Sequence, residues 1–490
     1  MQSKESLRIA VIGAGPAGIA AGHELLAQGF TNFRIFEKAA APGGTWHLHT
    51  YPGLACDVWA HSYTFSYRPN PNWTSSFADQ PEIESYLQTC ATEFGLDPHI
   101  QLNTRIVRAA FEENEAVWSL TSDAGESWTF DIVINAMGNQ HTALYPDVPG
   151  KETFAGDTWH ATEWNHDVDL KGKKVVIVGS AASAVQIVPE VAKVAGHLTV
   201  LQRTPNWIMP RGSKPYSESR RAWNRRLPLL IRATQKIQGI MMGFVHKAAT
   251  NGDPMMKNFE DRAKKFIDTA ISDPELREAL TPSSSYACKR GLVSDGFYPA
   301  LMEDHVELIP AGLASVTPEG ITTANGRTID ADVIIYCTGY RILDFDRIEV
   351  LGKEEKSLAD VMAVAPESHK GIAAPGFPNY FFAVGPNGLV LNVPYFTTVE
   401  RNVASIVTLL GAKQAEDLRS LEVKREAHEE YNDWMRTQFG LYSWGSSNCN
   451  SYYQNAAGQA PFLFPGNFKT YVEFHEKLSL DEFETSGHSE

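Results

Sequence analysis

Two glycine-bearing turns carry the first recognisable chemistry in this sequence. "GAGPAG" occupies residues 13–18 and "GSAASA" residues 179–184, 166 positions further on. Each follows a short apolar run, "IAVI" and "VVIV", and each opens a segment of helical period. In the first turn Gly13 permits the tight bend, Gly15 lets bare backbone approach a pyrophosphate, and Gly18 lets the helix pack close to its strand. The helix starting with Pro16 and Ala17 then faces the phosphates with free N–H groups and its positive dipole end. The next strand, "FRIFEK", ends in Glu37 and Lys38, with Glu37 19 residues after Gly18. A carboxylate at that distance accepts hydrogen bonds from ribose hydroxyls.

The second turn, with Gly179, Ser180, Ala181, Ser183 and Ala184, lacks the middle glycine. Ala181 in that place pushes a phosphate slightly outward, and Ala184 is an accepted variant of the last position. The strand that follows, "LTVLQR", ends in Arg203 and Thr204 where the first unit has Glu37. A carboxylate would repel a 2′-phosphate, whereas arginine pairs with one by charge-assisted bonds. The turn is thus either a looser NADPH site or an empty strand-to-helix bend, and Arg203 and Thr204 favour the former. One acid-terminated and one arginine-terminated unit in one chain read as a two-dinucleotide flavoprotein, FAD first and NADPH second.

Such turns need parallel strands behind them. The expected fold class is α/β, with two Rossmann-like dinucleotide-binding domains, the second interrupted by a helical insertion. Residues 1–148 and 338–490 are assigned to the FAD domain, 149–212 and 286–337 to the NADPH domain, and 213–285 to the insertion. The segment around "DAGES" predicts an antiparallel insert in the first domain. The basic face of the insertion is expected to be solvated surface, and the acidic tail "DEFETSGHSE" to fray. A chain of 490 residues is long enough for several sizeable cores. Its net charge of −15 argues against a nucleic-acid groove. No apolar run reaches membrane-spanning length, so no membrane insertion is expected. The five cysteines, at 56, 90, 288, 337 and 449, form no CxxC pair; their odd number and wide spacing suit a reducing cytoplasm. Neither HExxH nor a Cys/His cluster nor a nucleophile elbow appears, so no metal site is expected.

The segments between and after the turns resemble the Baeyer–Villiger monooxygenases. "GGTWHLHTYPGLACD" (43–57) matches that family's [AG]GxWxxxx[FY]P[GM]xxxD through Gly43, Gly44, Trp46, Tyr51, Pro52, Gly53 and Asp57. "FAGDTWHATEWN" (154–165) resembles the fingerprint FxGxxxHxxxW through Phe154, Gly156, His160 and Trp164, with Asn165 where Pro or Asp is usual. "CKRGLVSDGFYPAL" (288–301) resembles the segment bearing the active-site arginine, here Arg290. "DVIIYCTGY" and "PGFPNYFFAVGPNG" resemble the interdomain linker and the return to the FAD domain, and "DIVINAMGN" (131–139) is a weaker copy of the linker.

The resemblance implies tightly bound, non-covalent FAD, NADPH as electron donor, and insertion of one oxygen beside a ketone carbonyl through a C4a-peroxyflavin, with sulfide oxidation as a side activity. It implies Arg290 as the catalytic cation, Asp57 as its orienting partner, and Lys289 beside Arg203 and Thr204 on the 2′-phosphate. Gly44, Thr45, Trp46, Gly339 and Asn387 join the cofactor-binding set. Asp57 also reads as a turn carboxylate, Trp46 as core filler, and His160 as an orienting residue rather than a base. "VLNVPYF" (390–396) and "GLYSWGSSNCNSYY" (440–453) are candidate substrate linings. The partners expected are a small ketone and O2, with the chain a monomer or weak homo-oligomer in the cytoplasm. Rival readings are a flavin-containing monooxygenase acting on N or S, and a non-catalytic FAD/NADPH redox sensor. A flavin disulfide reductase would require a redox cysteine pair near the first helix, and the sequence has none.

Overall fold

The computed structural model describes residues 4–446, 449, 451, 453–455 and 459–488. Two five-stranded parallel sheets dominate it. In the first the order is Tyr380–Phe382, Ile132–Asn135, Ile9–Ile12, Phe33–Phe36 and Ile100–Gln101. In the second it is Val306–Ile309, His197–Leu201, Lys174–Val178, Val333–Tyr336 and Asp157–His160. Strands such as Ile9–Ile12 and Val333–Tyr336 are buried at every residue, because helices cover one face of each parallel sheet and an antiparallel sheet covers the other.

Chain order explains where ligands go. From Ile9–Ile12 the chain crosses to Phe33–Phe36 on one side, and Ile132–Asn135 later fills the other. Lys174–Val178 is flanked in the same way by His197–Leu201 and Val333–Tyr336. Each glycine turn therefore sits at a switch point, where a crevice opens beyond the carboxyl ends of the strands.

The predicted antiparallel insert is present as Ile106–Glu112, Val117–Ser122 and Ser127–Phe130, extended by Glu349–Leu351. Residues 218–280 hold four helices: Glu218–Arg226, Pro228–Ala249, Pro254–Ala270 and Pro274–Leu280. Asp253 and Asp273 cap the last two, their side chains accepting from the N–H of Met255 and Glu275, and a proline follows each at the first helical position.

Two expectations fail. The tail does not fray: Phe483–His488 pairs antiparallel with Leu418–Val423, and buried Phe483 anchors its start. A single buried Phe and the partner strand hold this segment, a pairing that the acidic composition hid. Nor are all the cysteines free. Cys288 and Cys449 form a disulfide with Cα atoms 5.4 Å apart, while Cys56, Cys90 and Cys337 are buried thiols. The paired cysteines lie 161 positions apart, so no local spacing announced them. Among the described residues no cluster suits a metal ion, and no helix is long and apolar enough to cross a membrane.

Candidate active site

The first turn is built from bare backbone. Gly13 has φ +107°, and a Cβ there would lie 2.7 Å from the carbonyl oxygen of Ala136. A Cβ on Gly18 would stand only 1.8 Å from the Gly13 oxygen, which is how the helix comes so near its strand. Glu37, 5% exposed, receives the N–H of Ala14 at 2.8 Å and of Ala39 at 2.9 Å, fixing its carboxylate at the end of the second strand. The second turn copies this geometry: Gly179 has φ +115°, and a Cβ would lie 2.5 Å from the Cys337 oxygen.

Both turns open into one cavity of about 1850 Å³. That exceeds the roughly 300–1,000 Å³ of a single-ligand pocket and leaves room for two dinucleotides and a substrate. Its wall includes Gly13, Gly15, Pro16, Ala17, Glu37, Lys38, Gly44, Thr45, Trp46 and Asp57 from the first unit. Gly179, Ser180, Ala181, Ser183, Arg203, Thr204, Lys289, Arg290 and Gly339 also line it. Three expected cofactor residues do not. Gly18 and Ala184 serve packing inside their helices, Ala184 being fully buried. Asn387, 2% exposed, spends its side-chain amide on the carbonyls of Ala460 and Leu463, at 2.9 and 2.7 Å. It clamps two chain segments rather than facing the cavity.

Asp57 and Arg290, 233 positions apart, meet at this wall. Arg290 donates from Nε to Oδ2 at 2.8 Å and from Nη2 to Oδ1 at 2.7 Å, a two-point grip that fixes the guanidinium plane. Ala287, at φ +61°, turns the chain just before Cys288, Lys289 and Arg290. Left-handed backbone at a non-glycine residue persists where surrounding structure holds it, and functional sites are where it collects. A further arginine, Arg211, stands near Asp57 on the cavity wall. Its Nη2 donates to the carbonyl of Cys56 at 2.9 Å and its guanidinium lies 5.1 Å from the Phe77 ring centre. Burial lowers its pKa and the nearby Asp57 partly offsets that. The sequence reading missed Arg211; a lone "PRG" after a strand gives no signal of its own. Gln186 ties the two units together, donating to Ala55 O at 2.8 Å and accepting from the Tyr51 hydroxyl at 3.2 Å.

Arg203 comes close enough to Lys289 to disfavour its charge. Burial lowers the Lys289 pKa, and repulsion from Arg203 lowers it further. Among the described residues no carboxylate offsets this at Lys289. Two converging cations are a fit for a phosphate dianion beyond the second turn. The bare first turn likewise fits a pyrophosphate, with Glu37 placed for ribose hydroxyls.

Trp46, 8% exposed, lines the cavity and donates from Nε1 to the Tyr63 hydroxyl at 3.1 Å. His160 does not line the cavity. Its Nδ1 accepts from the N–H of Thr162 at 3.2 Å, and its ring meets Tyr145 and Tyr340 edge-on. Trp164 packs edge-on to Trp159.

The apolar end of the cavity is formed by Leu389 and, within the two segments named from sequence, by Val390, Leu391, Val393, Pro394, Tyr395, Trp444 and Tyr453. Residues 447, 448, 450 and 452 of the second segment lie outside the described residues. Met241, Met242, Phe244, Val245, Met255 and Phe259 complete this end, a contribution from the helical segment that the sequence reading did not anticipate.

The chain matches the flavin-binding monooxygenase-like family over residues 6–350. It is 38% identical over 467 residues to a Baeyer–Villiger monooxygenase of Pseudomonas aeruginosa, covering 94% of this chain and 88% of that protein. Its fold is similar to a closed crystal structure of cyclohexanone monooxygenase, with TM-score 0.88 and 26% identity over 98% of this chain and 99% of that one. It is also similar to OTEMO in complex with FAD and NADP, with TM-score 0.86 and 25% identity over 99% of this chain and all of the other.

Proposed function

The chain belongs to the flavin-binding monooxygenase-like family, as a Baeyer–Villiger-type enzyme using FAD and NADPH, and we propose that Arg290, held by Asp57, is its catalytic cation. In the overall reaction a ketone, O2, NADPH and a proton give an ester or lactone, water and NADP+. When bound, FAD passes electrons from NADPH to O2 and supplies the activated oxygen.

The chain's own residues do the rest. The turn at Gly13, Gly15, Pro16 and Ala17 holds the FAD pyrophosphate, Glu37 the ribose, and Gly44, Thr45 and Trp46 close over the same nucleotide. The turn at Gly179, Ser180, Ala181 and Ser183 holds NADPH, with Arg203, Thr204 and Lys289 on its 2′-phosphate. Residues 1–148 and 338–490 form the FAD domain, 149–212 and 286–337 the NADPH domain, and 213–285 the helical insertion. Arg290 stays charged at any working pH and stabilises negative charge as it develops on the ketone oxygen. Asp57 keeps the guanidinium in one plane and neutralises it while no substrate is present. The aliphatic and aromatic end of the cavity takes a predominantly apolar ketone and keeps water from it. Sulfides form a side substrate class, and the enzyme works as a monomer or weak homo-oligomer in the cytoplasm.

The carrying observation is the two-point Arg290–Asp57 pair on the wall shared by both turns. The test incubates yellow holoprotein and NADPH with cyclic, linear and aryl ketones and one sulfide under ¹⁸O2. One ¹⁸O per ester is the expected result. Sulfoxide without any ester would favour heteroatom oxygenation, and no product at all would favour a sensor.

A further inference from the structure

The exposed apolar surface is unevenly distributed. Fifteen large apolar side chains are exposed among the described residues, and eight of them lie between Trp223 and Phe244. Leu229 is 73% exposed, Ile237 61% and Ile240 60%. On the helix Pro228–Ala249, Leu230, Ile237, Met241 and Phe244 fall on one stripe, with Leu229 and Ile240 beside it. The opposite side is firmly seated. Ile231, Gln238 and Ala249 are buried there, and Gln235 donates to the carbonyl of His61 at 2.8 Å. The stripe from Leu229 to Ile240 is therefore an outward face of a docked helix, about 16 Å long at 1.5 Å per residue, and Met241 and Phe244 carry it onto the cavity wall.

Its charge sets it apart from the rest of the molecule. Residues 218–249 hold seven Lys and Arg against one Glu, in a chain of 43 basic and 58 acidic residues. Arg226, Arg232, Lys236 and Lys247 are exposed along its border. Exposed Trp and Leu set among arginines on a helix too polar to span a bilayer are the composition of an interfacial helix. A second copy is a poor occupant, because a two-fold contact through this face would oppose seven cations with seven.

We propose that the helices Glu218–Arg226 and Pro228–Ala249 dock on an anionic phospholipid surface, with the stripe in the acyl boundary and the basic border at the headgroups. Met241, Met242, Phe244 and Val245 of the same helix line the catalytic cavity. The docked face thus adjoins the substrate end, so ketones that partition into lipid reach it without crossing bulk water. This last step rests on the function proposed above; the docking does not.

Flotation tests it on holoprotein with vesicles of phosphatidylcholine alone and of phosphatidylcholine with phosphatidylglycerol. The bound fraction should be about 10-fold higher on the anionic vesicles and should fall steeply in high salt. The double variants Leu229→Glu/Ile240→Glu and Arg226→Glu/Lys236→Glu should each lose it while keeping flavin absorbance and NADPH oxidation in solution. No flotation of the wild type, equal flotation on neutral vesicles, or undiminished flotation of both variants would overturn the proposal. So would a wild-type dimer in sedimentation velocity that the first variant dissolves without any vesicle binding. Because flotation needs no turnover, an inactive but vesicle-bound holoprotein would count against the proposed reaction and not against the docking.

Discussion

Arg290 and Asp57 meet in a geometry that a point charge could not reproduce. The carboxylate takes Nε and Nη2 together, so orientation as well as charge is fixed. Removing the carboxylate in Asp57→Ala frees the side chain to swing, and ester formation should fall about 10- to 100-fold. Flavin reduction by NADPH should change less; comparable losses in both half-reactions would assign Asp57 a general structural role. At the far end of the second turn, the proposed role of Arg203 is to act through charge on a 2′-phosphate. Arg203→Ala should raise KM for NADPH by about 10-fold, the scale of one charge-assisted hydrogen bond, and leave NADH almost unchanged. Steady-state NADPH and NADH oxidation measures both, and an equal rise for the two donors would remove the phosphate from the account.

The two turns were legible because their signal is local: an apolar strand, a glycine, a helix and a strand ending in a defined charge, all within about 30 residues. Their steric demands separate the roles of the two units. Gly13→Ala forces a Cβ onto the Ala136 carbonyl and should yield protein that loses its flavin on desalting. Gly179→Ala forces one onto the Cys337 carbonyl and should leave the protein yellow but slow to be reduced by NADPH. Absorbance near the flavin maximum and anaerobic reduction distinguish the two, and colourless Gly179→Ala protein would contradict the assignment. What the sequence did not disclose is non-local. The Asp57–Arg290 contact was read only through family resemblance. Arg211, the Cys288–Cys449 bond and the Met241–Val245 lining came from topology, which sets distant segments side by side without any spacing rule. The bond is open to a direct count. Alkylation of the denatured, unreduced protein should modify three thiols, Cys56, Cys90 and Cys337, and five after reduction.

At the scale of the molecule, burial of histidine ties stability to pH. His49, His61 and His428 are desolvated, with pKa values brought down to about 4 from 6.5. The unfolded chain binds protons at these sites below about pH 6.5 while the folded one refuses them, so stability is full above 6.5 and falls as pH drops toward 4. Urea midpoints at pH 7.5, 6 and 5 should decline in that order, and a constant midpoint would mean these rings are solvated. The same architecture places both glycine turns, the arginine–carboxylate pair and the apolar end in one cavity, and the proposed roles divide electron delivery and oxygen insertion between different residues of its wall. Arg290→Ala separates them most directly. Stopped-flow mixing with NADPH under anaerobic conditions, followed by product analysis in O2, should show near-normal flavin reduction and ester formation reduced by about 10²- to 10³-fold. Ester formed at the wild-type rate would contradict the account.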